Sequence, residues 1–229
     1  MKPLQIAIDG PVGSGKSDIS SRLAKELDLV YLYTGAMYRA VAWLSRQHNT
    51  AYKDEPAIVD LLMHHTIDLV PPPKESSRSF AVTVDSTDVT DLLFTPENDR
   101  PASDVSTLPE VRKRMVARQQ ELAEGKRVVM EGRDIGYRVL PNAQLKIYLT
   151  ASVEERAQRR LDQWVTKGIT NKTFEEALKE TVERDTQDMN RPADPLKKLP
   201  DAWELDTTGL SQQEVIQKIK DEITKRNLL

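Results

Sequence analysis

The sequence contains no cysteine, and aromatic residues make up 5% of its 229 residues. The lack of cysteine excludes disulfide bonds and cysteine-ligated metal sites. No apolar run approaches the ~20 residues that cross a bilayer. Neither sign of charge dominates, and a formal net charge of −3 gives no indication of a nucleic-acid polymer as partner. We therefore expect a cytoplasmic protein with no membrane partner, and separately we expect it to be a monomer.

The chain does contain a glycine-rich loop, GPVGSGKS, at residues 10–17. The loop follows the apolar run 4–8 and precedes a helical pattern at 18–26, which is the strand, loop and helix context of the phosphate-loop motif G-x-x-x-x-G-K-[ST]. In such a loop, backbone N–H groups and the positive end of the helix bind phosphate oxygens. The motif predicts a nucleoside triphosphate site formed by Gly10, Pro11, Val12, Gly13, Ser14, Gly15, Lys16 and Ser17.

Two side chains of this loop have distinct predicted roles. Lys16 would reach the outer phosphates as a point charge, and the Ser17 hydroxyl would hold Mg²⁺. A nucleoside triphosphate and Mg²⁺ are accordingly the expected ligand and metal ion, and the loop alone indicates only an NTPase or a kinase.

Beyond the loop, apolar runs alternate with helical patterns, which is typical of a parallel sheet covered by helices. Strands are predicted at residues 29–33, 127–131, 144–149 and 202–206. Helices are predicted at 40–44, 108–123, 152–164, 173–189 and 211–225, the last three opening with capping boxes at Ser152, Thr173 and Ser211. The expected fold is a three-layer α/β fold.

Residues 50–101 differ in character from the rest. Two predicted strands, at 67–70 and 80–85, are separated by three prolines and a serine-rich turn. Residues 89–93 could form a third strand or a short helix. Such a β-rich insertion between α/β elements indicates a small cap domain.

Arginines are frequent where strands end or where helices could fold over the phosphate loop. One triphosphate does not require so many, but two phosphorylated substrates do, because their mutual repulsion must be screened. Arginine suits this task because its planar fork binds phosphate through two hydrogen bonds. The residues concerned are Arg39, Arg112, Arg133, Arg156, Arg159, Arg160, Arg184 and Arg191.

No obvious general base accompanies these arginines. A phosphate acceptor needs none, because its oxygens are already anionic near neutral pH. The simplest consistent chemistry is transfer from one phosphate to another. Arg184, Asp188 and Arg191 lie at i, i+4 and i+7 on one predicted helix face, where spacing alone slightly favours a surface salt-bridge ladder.

Five groups of segments together resemble the bacterial cytidylate kinase family over nearly the whole chain. They are IAIDGPVGSGKS (6–17), TGAMYRAVA (34–42), EGRDIG (131–136) with VLPNAQLKIYLTASVEERAQRR (139–160), ERDTQDMNR (183–191) and LDTTGLS (205–211). The resemblance implies a nucleoside monophosphate kinase fold with a P-loop core at 1–33, 102–152 and 196–229. It also implies an enlarged monophosphate-binding domain at 34–101 and a helical lid at 153–195.

In that family ATP phosphorylates CMP or dCMP, so the resemblance implies a cytosine-reading site. By motif match, Ser103, Arg112 and Asp134 would read the base, and Thr34 and Tyr38 would line the same site. A carboxylate can accept from the exocyclic N4 amine, while arginine donates to N3 and O2. Uracil presents a carbonyl at the N4 position, so selectivity against UMP is expected.

The same resemblance implies roles for residues that contact phosphates and sugar. The acceptor phosphate would be held by Arg39, Arg133 and Arg191. The ribose hydroxyls would contact Arg184 and Asp188, which replaces the salt-bridge interpretation. The donor nucleotide would meet Arg156, Arg159 and Arg160 at its phosphates, and the turn containing Thr207 at its adenine.

Four positions depart from the family pattern: Tyr33 replaces Asp, Gln187 replaces Arg, Asp18 replaces a small Thr and Tyr137 replaces Thr. We expect activity, because Lys16, Arg133 and Asp134 are retained. Two alternatives remain open at this point. One is a P-loop kinase for another small acceptor, and the other is a nucleotide-binding regulatory module that has lost turnover.

Overall fold

The computed structural model describes residues 3–73, 75–76, 78–166 and 168–228. Its strands are β1 (Gln5–Asp9), β2 (Val30–Tyr33), β3 (Ile67–Val70), β4 (Ala81–Val84), β5 (Thr87–Asp88), β6 (Val128–Gly132), β7 (Leu145–Thr150) and β8 (Trp203–Asp206). Its helices are α1 (Lys16–Leu27), α2 (Thr34–Gln47), α3 (Glu55–His64), α4 (Thr90–Leu93), α5 (Pro96–Val105), α6 (Pro109–Ala123), α7 (Val153–Thr166), α8 (Phe174–Asn190) and α9 (Gln212–Lys225). No helix within these ranges has the length and apolar character needed to cross a bilayer.

The main sheet is parallel, with strand order β2-β6-β1-β7-β8. Its strands alternate side chains between two buried faces, as continuous apolar runs in parallel sheets do. Ile6 and Ile8 face a core shared with α1 and α9, whereas Ala7 and Met130 face a second core shared with α2 and α6. The predicted three-layer fold is confirmed. All five strands end at one edge, so the loops that follow them form the site.

The insertion folds into a small antiparallel sheet with order β3-β4-β5. Of the two possibilities for residues 89–93, the short helix is confirmed as α4, whereas the third strand, β5, ends just before them. Ile67 and Val82 of this sheet belong to the same hydrophobic cluster as Met37 of α2. The insertion is therefore packed continuously onto the main core. Ser77, in the predicted serine-rich turn, lies outside the described residues.

Three local structures were not expected from the sequence. Helix α2 begins at Thr34, six residues before the predicted helix, directly after β2. Helix α5 contains Pro101 in its interior, and its polar composition resembles that of a loop, yet Ala102 and Val105 are buried. A single turn of π-helix spans Ile135–Val139. In each case packing against neighbouring elements outweighs local propensity.

The helical hairpin of α7 and α8 has a small apolar core. Its buried members are Ala157, Trp164 and Ala177.

The capping boxes predicted at Thr173 and Ser211 are confirmed, whereas at Ser152 the hydroxyl accepts from the Glu155 amide without the reciprocal contact. The Ser152 amide instead donates to Thr208 Oγ1, which ties the start of α7 to the turn after β8.

Four aromatic rings fill the space beside the end of β2. Tyr33 stacks on Tyr31 with ring centroids 6.3 Å apart and meets Phe80 edge-on at 5.4 Å. Phe94 lies 6.0 Å from Tyr33, and the guanidinium of Arg39 lies 5.1 Å from the Phe94 ring centre. The side chain at position 33 thus forms part of a cluster that supports Arg39.

We expect Tyr33→Ala to lower the free energy of unfolding by about 2–4 kcal/mol, because it removes a ring that contacts three others. Tyr33→Phe keeps these contacts and should cost less than about 1 kcal/mol. Urea unfolding of both variants measures the difference. Equal stability of Tyr33→Ala and the unchanged protein would show that the cluster contributes nothing.

Candidate active site

The phosphate loop is packed tightly against β7 and α7, which explains two of its glycines. A Cβ atom at Gly10 would lie 2.0 Å from the carbonyl oxygen of Leu149. Gly13 has a φ of +74°, and a Cβ there would lie 2.9 Å from the carbonyl oxygen of Arg156. Residues with side chains would force the loop away from these neighbours.

Lys16 is buried within the loop. Its Nζ donates to the Pro11 carbonyl oxygen at 2.7 Å and to Ser14 Oγ at 3.3 Å. Burial, followed by the positive charge of Arg133, lowers the pKa of Lys16 to about 7, although the nearby carboxylate of Glu131 opposes this shift. An anion placed at the loop would favour the charged form.

We expect ATP binding to be accompanied by proton uptake by Lys16. At about pH 8.5 the amine with a pKa of about 7 is mostly neutral, whereas beside a triphosphate it would be protonated. The uptake should approach one proton at about pH 8.5 and become smaller near pH 6. Calorimetric titration in two buffers of different ionisation enthalpy measures it. Equal uptake at both pH values would contradict the shifted pKa.

Two acidic residues at strand ends shape the floor of the site. Asp9, at the end of β1, accepts from the amides of Ile135 and Gly136, each at 2.8 Å, and so fixes the loop after β6. Burial raises the pKa of Asp9 to about 6 despite these bonds. Glu131 accepts from the Tyr31 hydroxyl at 2.5 Å, and burial raises its pKa as well.

The donor side of the site lies between the phosphate loop, α7 and the turn after β8. A cleft of about 290 Å³ is lined there by Gly13, Gly15, Arg159 and Thr207, among others. Arg159 Nη1 donates to Thr207 Oγ1 at 3.1 Å, and its Nη2 donates to the Thr207 carbonyl oxygen at 3.0 Å. The structure therefore places these two predicted donor-side residues in direct contact.

Arg156 joins the phosphate loop to the helical hairpin. Its Nη1 donates to the Val12 carbonyl oxygen at 3.1 Å and to Asp185 Oδ2 at 2.7 Å. The side chain is almost completely buried, so the position of α8 depends on a residue that contacts the loop.

The predicted base-reading residues meet on the other side of the site. Arg112 is 1% exposed, and its Nη2 donates to Asp134 Oδ2 at 2.5 Å. Tyr38 lies beneath this guanidinium, 5.5 Å from ring centre to Cζ, and its buried hydroxyl has no hydrogen-bond partner among the described residues. Ser103 Oγ donates to Gln187 Oε1 at 2.8 Å, which connects α5 to α8.

A second group of arginines surrounds Asp188. Arg133 Nε lies 2.6 Å from Asp188 Oδ2, and Arg184 Nε lies 3.5 Å from its Oδ1. Although burial opposes ionisation, Arg133 and Arg184 lower the pKa of Asp188 to about 2. Burial and the charges of Arg133 and Arg39 lower the pKa of Arg184. Such a concentration of positive charge is suited to an anionic ligand.

Arg191 lies beyond the helix face on which spacing placed it. Helix α8 ends at Asn190, and Arg191 has an extended backbone. Its Nη2 nevertheless lies 3.3 Å from Asp134 Oδ1, so Arg191, a predicted acceptor-phosphate residue, contacts one of the two predicted base-reading residues Arg112 and Asp134, which are called the base-reading group below. Thr34 lies nearby at the start of α2 and donates to the Glu131 carbonyl oxygen at 2.7 Å.

Asp99 of α5 lies between two arginines assigned to different substrates. Arg39 Nη1 contacts Asp99 Oδ1 at 2.6 Å, and Arg160 Nη2 contacts Asp99 Oδ2 at 3.2 Å. The carboxylate thus bridges a predicted acceptor-phosphate residue and a predicted donor-phosphate residue across the site.

A family model described as cytidylate kinase matches residues 6–225. The chain belongs to the cytidylate kinase family. The cytidylate kinase of Halalkalibacterium halodurans is 45% identical over 226 residues, which cover 99% of this chain and 100% of that protein. A cytidylate kinase of Streptococcus pneumoniae (strain 70585) is 43% identical over 226 residues, with the same coverage. The resemblance inferred from the motifs is confirmed.

The fold has a counterpart among solved structures. An uncharacterised protein from Eubacterium ventriosum aligns with a TM-score of 0.53 at 13% identity, covering 98% of this chain and 99% of that one. At this identity the likeness concerns the fold alone.

Five carboxylates of the site were missed by sequence reasoning in this member of the cytidylate kinase family: three pair with arginines, Asp9 binds backbone amides and Glu131 binds the Tyr31 hydroxyl. A search for phosphate-binding residues selects cationic side chains, whereas each of these acidic residues is identified by the residue that it contacts in the folded structure. A sequence signal exists for Asp9, which directly precedes the glycine loop, and for Glu131, which directly precedes GRDIG. The missed residues are Asp9, Asp99, Glu131, Asp185 and Asp194.

Proposed function

We propose that this protein transfers the γ-phosphoryl group of ATP to the 5′-phosphate of CMP or dCMP, giving ADP and CDP or dCDP. The observation that carries the proposal is the buried Arg112 and Asp134 pair, located at the same sheet edge as the phosphate loop. Membership of the cytidylate kinase family supports the same activity.

The base would be read by complementary donors and acceptors. Asp134 has carboxylate oxygens to accept from the cytosine N4 amine, and Arg112 has N–H groups to donate to N3 and O2. The Tyr38 ring packs beside Arg112 and completes one wall. A uracil carbonyl facing Asp134 would leave two acceptors opposed, so UMP is expected to be a poor substrate.

The chain's own residues would position the two phosphates and supply positive charge, without a general base. Lys16 would move from the Pro11 carbonyl oxygen to the donor phosphates. Arg133 would bind the acceptor phosphate, whose oxygens are already anionic and can attack in line. Arg39 and Arg191 would share the acceptor phosphate, and Arg156, Arg159 and Arg160 would share the donor phosphates. Arg184 and Asp188 would contact the sugar hydroxyls.

The site also has the oxygen groups that suit Mg²⁺. Ser17 directly follows Lys16 at the start of α1, and its hydroxyl lies beside Glu131, where it partly offsets the rise that burial causes in the pKa of that carboxyl group. Ser17 would hold the ion together with phosphate oxygens. When bound, Mg²⁺ neutralises charge on the transferring phosphoryl group.

The domain division at 1–33, 102–152 and 196–229 for the core, 34–101 for the acceptor side and 153–195 for the lid is part of this proposal. The contact of Asp99 with Arg160 supports a lid that meets the acceptor side, and the contact of Ser103 with Gln187 joins the lid to the core. We further propose that the protein acts as a monomer, because residues of one chain provide both halves of the site.

The test is ADP formation from ATP and Mg²⁺ with CMP, dCMP, UMP or AMP offered separately. Turnover with CMP or dCMP, and little with UMP and AMP, is the expected result. Turnover with none of the four, combined with calorimetric binding of ATP and CMP, would instead indicate a regulatory module. Turnover with AMP alone would indicate another P-loop kinase.

A further inference from the structure

Asp194, in the segment between α8 and β8, lies at the centre of the base-reading group. Its Oδ2 accepts from Arg112 Nε at 3.1 Å, and its Oδ1 contacts Arg138 Nε at 2.5 Å. Its backbone carbonyl oxygen accepts from Arg191 Nε at 2.7 Å and also from the Arg191 Nη2. One residue thus holds both arginines that contact Asp134.

These contacts close a ring of alternating charge. Asp194 binds Arg112, Arg112 binds Asp134, Asp134 binds Arg191, and Arg191 returns to the Asp194 carbonyl oxygen. Asp194 adopts a left-handed backbone with φ of +50°, which is uncommon for residues other than glycine. This backbone allows its carbonyl and its carboxylate to bind different arginines.

The contacts of Arg112 leave it with the donors that a pyrimidine needs. A guanidinium has five N–H groups, one on Nε and two on each terminal nitrogen. Nε binds Asp194, one Nη1 hydrogen binds the Ser106 carbonyl oxygen at 3.0 Å, and one Nη2 hydrogen binds Asp134. One hydrogen remains on each terminal nitrogen, which suits the adjacent N3 and O2 acceptors of cytosine.

The segment that carries Asp194 also contacts Tyr137, which lies shortly after Asp134. The Tyr137 hydroxyl donates to the Pro195 carbonyl oxygen at 2.6 Å, and the Lys197 amine lies 4.3 Å from the centre of the Tyr137 ring. Tyr137 is one of the departures from the family pattern. It holds the Asp194 segment against the residues that follow Asp134.

We propose that Asp194 is a positioning residue for pyrimidine selectivity, which orients Arg112 through its carboxylate and Arg191 through its carbonyl. This inference rests on the proposed function. Without the Asp194 carboxylate, Arg112 would lose the charged partner that fixes its Nε. Its guanidinium could then rotate so that more of its N–H groups bind Asp134. Asp134 would then be less available to accept from the cytosine amine.

The test compares Asp194→Asn with the matched control Asp201→Asn. Asp201 lies in the same connection to β8, is exposed and binds Lys146 away from the base-reading group. For Asp194→Asn we expect KM for CMP to rise about 10-fold, because the amide oxygen that replaces the carboxylate is neutral and binds the Arg112 guanidinium less strongly. KM for ATP should remain unchanged, and the ratio of kcat/KM for CMP over UMP should fall. Asp201→Asn should preserve all three quantities.

Loss of folding is separated from loss of positioning by thermal unfolding of each variant. If Asp194→Asn does not fold, Asp194→Glu provides the same test, because its longer carboxylate would displace Arg112 while keeping the charge. A selectivity ratio equal to that of the control, or a uniform fall in kcat with the ratio preserved, would overturn the inference. Failure of the unchanged protein to phosphorylate CMP would instead overturn the proposed function.

Discussion

Lys16→Ala is expected to lower kcat by about 10³-fold, because the cation that stabilises charge on the transferring phosphoryl group is lost. The variant should fold, because within the described residues Lys16 donates hydrogen bonds only to its own loop, namely to the Pro11 carbonyl oxygen and to Ser14 Oγ. Burial already disfavours the charged form of Lys16 in the folded protein, so its removal should not lower the free energy of unfolding. Steady-state ADP formation with saturating CMP measures the effect.

Lys220→Ala is the matched control for this substitution. Lys220 lies on α9 and pairs with Glu26 on the surface, away from the site. It should leave kcat unchanged. If Lys16→Ala kept more than about a tenth of the activity, the assignment of Lys16 to the donor phosphates would be wrong.

Asp134→Ala is expected to lower kcat/KM for CMP by about 100-fold and that for UMP by much less. The carboxylate accepts from the cytosine amine in the proposed complex, and a lost charged hydrogen bond corresponds to about 1.5–3 kcal/mol. Asp134→Asn gives a sharper result, because the amide can donate to the O4 carbonyl of uracil. We expect Asn at this position to shift the ratio of kcat/KM toward UMP.

The two Asp134 variants need a check on folding, because Arg112 is buried. Arg112 retains its bonds to Asp194 and to the Ser106 carbonyl oxygen in both variants. Thermal unfolding should therefore show a cooperative transition for each. Equal losses of kcat/KM for CMP and UMP in a folded variant would show that Asp134 does not read the base.

The central fold could be predicted because its signals are local. Alternation of Ile6 and Ile8 with Ala7 encodes a strand buried on both faces, and the glycines at 10, 13 and 15 encode the loop that follows. Helix α5 could not be predicted in this way, because it contains a proline and several polar residues, and its packing on α2 is not encoded locally. The π-helical turn at Ile135–Val139 depends on the Asp9 carboxylate, which binds its amides from a distant strand.

Only the arginines of the site could be predicted from the sequence, and the acidic residues could not, for a related reason. The arginines are found in motifs, whereas Asp99 and Asp194 acquire meaning from partners tens of residues away. Two departures also gain a structural explanation. Tyr33 contributes to an aromatic cluster beside Arg39, and Gln187 accepts a hydrogen bond from Ser103. Neither role can be inferred from the change in charge alone.

The central claim is direct transfer of a phosphoryl group from one nucleotide to the phosphate of another. Incubation of the protein with CMP, Mg²⁺ and ATP labelled in its γ-phosphate tests it most directly, with the label followed in every product. We expect the label in the β-phosphate of CDP, with an equal amount of ADP formed. Label released as inorganic phosphate, with no labelled CDP formed, would contradict it.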